Sequence, residues 1–120
     1  MANGGMYVDV AHVGGQAVTT VRGEIDIASA DQLGAALDKV AAEEPVVLDL
    51  SAVDFMDSSG LAVLLRQSMR RHDAGGALQI RRPSVPVRRL LLFCCLEHLL
   101  EPELEAEKPK RRWAFKRTEV

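Results

Sequence analysis

The chain has 120 residues, 48% of them apolar, which is enough for one small hydrophobic core and too little for two. Its net charge of −2 conceals an asymmetry, because residues 108–120 hold six basic groups and one acid and leave −7 on residues 1–107. An acidic body argues against direct nucleic-acid binding. The longest apolar run, residues 90–96, is too short to span a membrane, and residues 1–5 do not resemble a signal peptide, so we expect a cytoplasmic protein without membrane contact.

Two segments rich in valine and threonine, residues 7–13 and 16–22, are predicted to form a β-hairpin. Gly14 and Gly15 between them can supply the positive φ angles of a tight turn. A first helix is expected next, with Ser29 as its N-cap. Its apolar face would consist of Leu33, Ala36, Leu37 and Val40.

A β-branched run at residues 46–50 predicts a buried strand, which is followed by a second helix that ends near His72. A short strand at residues 77–81 and a third helix that begins after Ser84 complete the pattern. The order β-β-α-β-α-β-α predicts an α/β domain. We expect a small mixed sheet, mostly parallel, with an antiparallel hairpin at its N-terminus and helices covering it.

Residues 6–103 are predicted to be the folded domain, with a flexible N-terminus at residues 1–5 and an acidic-to-basic tail at residues 104–120. Cys94 and Cys95 are adjacent in an apolar helical run, so we expect reduced, at least partly buried side chains. The tail is expected to fray or to become ordered on a partner. Its basic side chains are interleaved with Trp113 and Phe115 and could contact an acidic partner or phosphates, although a solvated terminus is the favoured interpretation. These basic residues are Lys108, Lys110, Arg111, Arg112, Lys116 and Arg117.

Residues 55–61, Phe-Met-Asp-Ser-Ser-Gly-Leu, lie at a predicted strand-to-helix junction and are the strongest candidate site. Capping explains part of this motif, since Asp57 or Ser58 can accept hydrogen bonds from the first-turn amides. Gly60 could allow close packing. Capping alone does not account for a glycine that costs about 1 kcal/mol relative to alanine within a helix. The small residue would let a partner surface approach the serine hydroxyls.

A serine hydrolase is disfavoured by the same motif. A nucleophile elbow needs glycine two residues before the serine, but Met56 precedes Ser58 and Asp57 precedes Ser59 at that spacing. The three histidines are scattered and are expected to be surface or structurally satisfied groups: His12, His72 and His98. Glycine-rich phosphate loops and Cys/His metal spacings are absent from the sequence. We therefore expect no enzymatic activity and no cofactor.

Residues 46–50 and 53–61, preceded by Gly-Glu-Ile-Asp at residues 23–26 and followed by Val-Arg-Arg-Leu-Leu at residues 87–91, strongly resemble the STAS domain of bacterial anti-sigma factor antagonists. The resemblance covers about residues 6–100. It implies partner switching: the unphosphorylated protein binds an anti-sigma factor that is also a serine kinase, and so frees a sigma factor for transcription. Phosphorylation on Ser58 ends the binding, and a metal-dependent serine phosphatase reverses it. The kinase would supply ATP and magnesium.

The resemblance also predicts partner-binding residues, which are Glu24, Asp26, Asp57, Ser58, Ser59 and Gly60. Asp57 has two interpretations, as the N-cap or as the group that orients the Ser58 hydroxyl. A phosphate on Ser58 would add about −1.5 to −2 charge beside Asp57 and near Asp26, so we expect repulsion at the interface rather than refolding.

One departure from the family concerns residues 93–98, which replace a glycine-containing turn; we expect the third helix to run longer here. Three alternatives stay open. The chain could be a STAS scaffold that is not phosphorylated or a regulatory subunit of a larger complex. It could be a small serine enzyme, which the missing elbow and base disfavour. Ser59 could also take the phosphate in place of Ser58.

Overall fold

The computed structural model describes residues 5–102, and the observed elements follow the predicted order. They are β1 (Met6–Val13), β2 (Gln16–Ile25), α1 (Ala30–Asp38), β3 (Val46–Met56), α2 (Ser58–Asp73), β4 (Leu78–Arg81), α3 (Val85–Phe93) and a 3₁₀ turn (Glu97–Leu99). The strands form one sheet in the order β1-β2-β3-β4, in which β1 is antiparallel to β2 and the other pairs are parallel. The predicted α/β fold is confirmed. The N-terminal segment apart from Gly5, and the predicted C-terminal tail, lie outside the described residues.

The hairpin turn has the predicted geometry, since Gly14 and Gly15 have φ angles of 58° and 84°. The second and third strands are longer than predicted, because β2 continues to Ile25 and β3 to Met56. β2 and β3 stay paired across two shifts of register, the second of which follows Gly23, where φ is 97°. Such irregularities bend a strand without ending the ladder, which the sequence pattern alone does not reveal.

The hydrophobic core lies around β3, one of the two central strands of the sheet. Every residue in the run Val46 to Leu50 is buried, as expected for a parallel strand covered on both faces. Helices α1 and α2 pack against each other, and α3 packs against β3. Among the described helices, none is both long and apolar enough to cross a bilayer.

Arg71 in α2 is fully buried, with 0% of its surface exposed, and the sequence analysis did not single it out. Its guanidinium donates to the carbonyls of Leu37 at 2.6 Å and Ala41 at 2.8 Å, and at 3.3 Å to those of Val40 and Glu44. These carbonyls lie at and beyond the end of α1. Those of Leu37 and Ala41 also accept from the amides of Val40 and Glu44, so the guanidinium is an additional donor to them. Burial lowers the pKa of Arg71. The side chain thus joins the end of α1 to α2.

The third helix ends at Phe93, so the prediction of a longer helix is wrong. Cys95 adopts a left-handed conformation with φ of 59°, and the amide of Leu96 donates to the carbonyl of Leu91 at 2.8 Å. This is the usual way to close a helix C-terminus, with cysteine at a position that favours glycine. Because the chain turns away here, Cys94 and Cys95 are exposed, and the prediction that they are partly buried is also wrong.

The last described residues add to the free edge of β4. Leu100 bridges to Ile80 in parallel, and the amide of Glu101 donates to the Ile80 carbonyl at 2.7 Å. The Arg81 guanidinium binds both carboxylate oxygens of Glu101, at 2.9 and 3.0 Å. That hydrogen bonding holds the pKa of Glu101 below its usual range. The direction of the chain at Glu101 is therefore that of β4.

Candidate functional site

The carboxyl ends of β2 and β3 bring two predicted segments together. Ile25 pairs with Met56, and the amide of Asp57 donates to the Ile25 carbonyl at 3.1 Å. Glu24 is paired with Phe55 one step earlier in the same ladder. The Gly-Glu-Ile-Asp segment therefore lies directly beside the start of α2.

Asp57 is the N-cap of α2. Its backbone is extended, and its carboxylate oxygen Oδ1 accepts hydrogen bonds from the amides of Ser59 at 2.9 Å and Gly60 at 3.3 Å. The hydroxyl of Ser59 donates to the same oxygen at 2.7 Å. This hydroxyl contact, together with the amides of Gly60, Ser59 and Ile27, lowers the pKa of the Asp57 carboxyl. Asp57 is therefore an ionised cap at neutral pH.

The carboxylate of Asp57 orients Ser59, and the expectation that it orients the Ser58 hydroxyl is wrong. The cap geometry explains the choice, because a carboxylate that reaches the second and third amides of the helix also meets the side chain at the second position. Ser59 is half-buried, whereas Ser58 is exposed. Within residues 5–102, no hydrogen bond engages the Ser58 hydroxyl. The two serines thus differ in both exposure and bonding.

Gly60 is buried and faces the protein interior. A Cβ atom at this position would lie 2.6 Å from Cγ2 of Ile25 and 2.9 Å from Cγ of Met56. The idea that this glycine leaves room for a partner does not fit these contacts. The missing side chain instead lets α2 begin close to the ends of β2 and β3, as the packing interpretation proposed.

Asp26 and Ser29 shape the loop between β2 and α1. The carboxylate of Asp26 accepts from the amides of Ala28 at 3.0 Å and Ser29 at 3.2 Å. The Ser29 hydroxyl donates to the carbonyl of Glu24 at 2.8 Å and accepts from the amide of Asp26 at 3.0 Å. Ser29 occupies the predicted N-cap position, but its side chain makes no capping hydrogen bond to α1. It stabilises the loop instead.

Two large apolar side chains flank the site: Phe55, which opens the predicted motif but was given no role of its own, and Ile27, which the sequence analysis did not single out. Ile27 is 82% exposed and Phe55 is 46% exposed. The available signal was their position in the sequence, since Ile27 follows Asp26 and Phe55 follows Asp54. The surrounding chain is acidic, because residues 23–34 and 53–65 contain five carboxylates and neither lysine nor arginine: Glu24, Asp26, Asp31, Asp54 and Asp57.

The histidines are scattered, as expected, with His12 on β1, His72 near the far end of α2 and His98 in the 3₁₀ turn. The ring of His12 on β1 is 2.7 Å from a carboxylate oxygen of Glu44. His72 and His98 are exposed. The prediction of surface or satisfied histidines is confirmed. Within the described part of the chain, no three histidine, cysteine or acidic side chains cluster closely enough to hold a metal ion.

Comparison with known proteins agrees with this geometry. The family model described as "Mlab, STAS domain" matches residues 8–101. An anti-sigma F factor antagonist of Paenibacillus polymyxa is 30% identical over 89 residues, which are 72% of this chain and 76% of that protein. The anti-sigma-F factor antagonist RsfB of Mycobacterium tuberculosis is 44% identical over 63 residues, and this match spans only 52% of that protein and 51% of this chain.

Solved structures show the same fold. The crystal structure of an anti-sigma factor antagonist from Mycobacterium paratuberculosis matches with a TM-score of 0.75 and 30% identity, over 88% of this chain and 92% of that one. Unphosphorylated SpoIIAA, an anti-sigma factor antagonist, matches in fold with a TM-score of 0.68 and 23% identity, over 92% of this chain and 99% of that one. The chain belongs to the STAS domain family of anti-sigma factor antagonists.

Proposed function

We propose that this chain is an anti-sigma factor antagonist controlled by phosphorylation on Ser58. The unphosphorylated form binds an anti-sigma factor that is also a serine kinase, and the sigma factor is released. Phosphorylation ends the complex, and a metal-dependent serine phosphatase restores the binding form. The names of the relatives support the antagonist role. The observation that carries the proposal is the exposed, unengaged hydroxyl of Ser58 at the start of α2.

The difference between the two serines supports Ser58 as the acceptor. The Ser59 hydroxyl donates to the ionised Asp57, and a hydrogen bond of this kind contributes about 1 kcal/mol. A kinase acting on Ser59 would have to break that bond and draw out a half-buried oxygen. Ser58 carries neither cost.

The surroundings of Ser58 explain how a phosphate would end binding. The phosphate adds about −1.5 to −2 charge at neutral pH. Asp57 already occupies the amides of Ser59 and Gly60, so fewer of the anion-binding groups of this helix start remain for the phosphate. A partner packed here would have to bury the new charge against carboxylates, which is unfavourable without a counter-ion.

The exposed Ile27 and Phe55 are the groups on which an unphosphorylated contact would rest. Large apolar side chains at the centre of a surface contribute most to binding when a partner covers them. Glu24 and Asp26 would form the charged border beside them. The proposed contact surface is therefore apolar in the middle, acidic at its edge and adjacent to Ser58.

Phosphate transfer from purified anti-sigma serine kinases of the same genome tests the proposal. Each kinase is incubated with radiolabelled ATP and magnesium and with the wild type, Ser58→Ala or Ser59→Ala. We expect uptake to vanish in Ser58→Ala and to persist in Ser59→Ala. In calorimetry, Ser58→Ala should retain the kinase, and Ser58→Glu should bind at least tenfold more weakly.

Two results would contradict this assignment. Uptake that survives Ser58→Ala and disappears in Ser59→Ala would move the acceptor by one residue. Kinase binding that Ser58→Glu does not weaken, without uptake by any kinase, would favour the STAS scaffold or regulatory subunit.

A further inference from the structure

The two edges of the sheet are finished in different ways. Beyond β4, Leu100 bridges to Ile80 and the amide of Glu101 donates to the Ile80 carbonyl, so these residues continue the sheet. β1 is the other edge strand, and within residues 5–102 it pairs with β2 alone. A sheet edge presents a row of backbone amides and carbonyls with which another strand can pair. The edge along β1 is therefore where the sheet can be extended.

The hydrogen bonds of the hairpin show which backbone groups of β1 point away from β2. The carbonyl of Gly5 accepts from the amide of Glu24 at 3.4 Å, just before β1 begins. Along an antiparallel pair, successive residues direct their backbone groups alternately toward the partner strand and away from it. Odd-numbered residues of β1 therefore bond to β2. Between residues 7 and 13, the outward amides and carbonyls belong to Val8, Val10 and His12.

β1 lacks the features that usually protect an edge strand from pairing. It is 8 residues long, it pairs with β2 without a bulge, and its sequence contains no proline, lysine or arginine. Tyr7 and Val13, near its two ends, lie on the same side of the sheet and are 68% and 57% exposed. Asp9 lies on that side as well and is exposed. This edge is thus mainly apolar, with a single acidic side chain.

A second copy of β1 is complementary to this edge when the two strands run antiparallel about a two-fold axis at Val10. Val10 then faces Val10 of the second copy, and Val8 faces His12 of the second copy. These are the residues whose backbone groups point outward, and each such pair can exchange two hydrogen bonds. The register therefore uses every outward amide and carbonyl from Val8 to His12.

The side chains on the exposed side fit the same register. Tyr7 faces Val13 of the second copy, so the exposed apolar groups at the two ends of the strand cover each other. Asp9 faces the small side chain of Ala11. An axis one residue earlier would also align the outward backbone groups, but it would place Asp9 opposite Asp9 of the second copy. Like charges directly opposite each other destabilise a strand pair, so Asp9 selects the register centred on Val10.

We propose that two copies of this chain associate through β1 in the register centred on Val10, which joins their sheets into one continuous sheet. This two-fold symmetry is the commonest one in homo-oligomers. β2 separates β1 from β3 and from Ser58 beyond it, so the association uses none of the proposed contact surface and does not depend on phosphorylation. A single strand pair buries less area than a standard interface of about 1,600 Å². The dimer is therefore weak and forms as the protein concentration rises.

Sedimentation velocity of the full-length protein, from about 5 to about 500 µM, tests for this dimer. We expect the weight-average sedimentation coefficient to rise with concentration. Amide hydrogen exchange followed by NMR locates the contact. The outward amides of Val8, Val10 and His12 should exchange at least about threefold more slowly at the highest concentration. The amides of Asp9 and Ala11 point toward β2 and should change little.

Ala11 tests the register, because it is exposed and would face Asp9 of the second copy. Ala11→Asp places like charges opposite each other and should weaken the dimer about tenfold or more, whereas Ala11→Lys should strengthen it at least about threefold. Asp9→Lys/Ala11→Asp exchanges the charges and should restore association. Ala52→Asp and Ala52→Lys are the matched controls, since Ala52 is an exposed alanine on β3, two strands from this edge. Both controls should dimerise like the wild type.

Three results would overturn the inference. The wild type could remain monomeric at every concentration, which would leave this edge free for a strand of another protein. Ala11→Asp and Ala11→Lys could have equal effects, which would exclude the register. A dimer could also form without slower exchange at Val8, Val10 and His12, which would place the interface elsewhere. None of these measurements involves a kinase, so they are independent of the phosphate-transfer assay.

Discussion

The two ends of α2 use charged groups in opposite ways. At its start, Asp57 accepts hydrogen bonds from its own first turn, and Ser58 is left exposed beside it. Near its other end, Arg71 is buried and donates to backbone carbonyls at the end of α1. A change of charge at the first end alters a surface, whereas a change at the second end breaks a contact between two helices. The fold therefore separates the group that we propose to be modified from the group that holds the helices together.

Arg71→Met should have the largest effect on stability. The substitution removes the guanidinium from four carbonyls, of which those of Val40 and Glu44 accept from no backbone amide within residues 5–102, and each buried unsatisfied group costs about 1–3 kcal/mol. We expect the free energy of unfolding, measured by urea denaturation, to fall by about 3 kcal/mol. Arg70→Met is the control, because its 3.9 Å pair with Asp38 is half-exposed and contributes about 0.5 kcal/mol or less. Equal losses in the two variants would contradict the structural role of Arg71.

Gly60→Ala should have the next largest effect, at the opposite end of the helix. The added methyl group would clash with Ile25 and Met56, and such overpacking costs about 1–3 kcal/mol. Gly34→Ala in α1 is the matched control, because its methyl group would meet Val63 at an ordinary 3.7 Å. Alanine is the better helix former, so we expect Gly34→Ala to be neutral or stabilising by up to about 1 kcal/mol. Thermal unfolding of both variants separates packing from helix propensity.

Asp57→Ala should lower stability in a way that depends on pH. The pKa of Asp57 is lowered in the folded protein, so the unfolded state binds more protons near its ordinary pKa of about 3.9. The stabilisation is complete above that pH and is lost as the pH falls through the lower folded-state pKa. We expect the urea midpoints of wild type and variant to differ at pH 7 and to converge as the pH falls through the lowered pKa of Asp57.

Asp54→Ala is the control for this pH dependence, because Asp54 is an exposed carboxylate on β3 with no capping role. Its urea midpoint should follow that of the wild type across the acid range. A constant difference between wild type and Asp57→Ala down to pH 2 would show that the cap does not depend on the ionised carboxylate.

The smallest effects should distinguish the two serines. Ser59→Ala removes the hydroxyl that donates to Asp57, and we expect a loss of about 1 kcal/mol in the free energy of unfolding. Ser58→Ala removes an exposed hydroxyl and should change stability by less than about 0.5 kcal/mol. The reverse order, measured by urea denaturation, would show that the cap engages Ser58 in solution.

Sequence patterns predicted those parts of the fold whose signals lie within a few residues. The Gly14–Gly15 turn, the apolar run at β3 and the acidic residue before α2 each define a local structure on their own. The sequence did not show which serine hydroxyl donates to Asp57, because Ser58 and Ser59 are adjacent and differ only in the direction in which they leave the helix. The exposure of Cys94 and Cys95 depended on where α3 ends, and nothing in the apolar run marks that residue.

Arg71 shows a signal that was present but hidden. It lies seven residues after Leu64, which places it on the buried stripe of α2. The neighbouring Arg66 and Arg70 made the stretch resemble a solvent-exposed face. Its burial depends on the backbone carbonyls at and beyond the end of α1, which are about 30 residues away in sequence.

The hydrogen bond from the Asp57 amide to the Ile25 carbonyl has a consequence for any enzyme that modifies Ser58. It extends the pairing of β2 and β3 to the residue before this serine, which then begins a 16-residue helix. Ser58 is presented in a fixed shape and not as an extended peptide. A kinase acting on it must recognise a folded surface, and a synthetic peptide of residues 53–63, which lacks β2, should be a poor substrate. Its selectivity would then reside in the three-dimensional form of this end of the sheet rather than in a linear consensus motif.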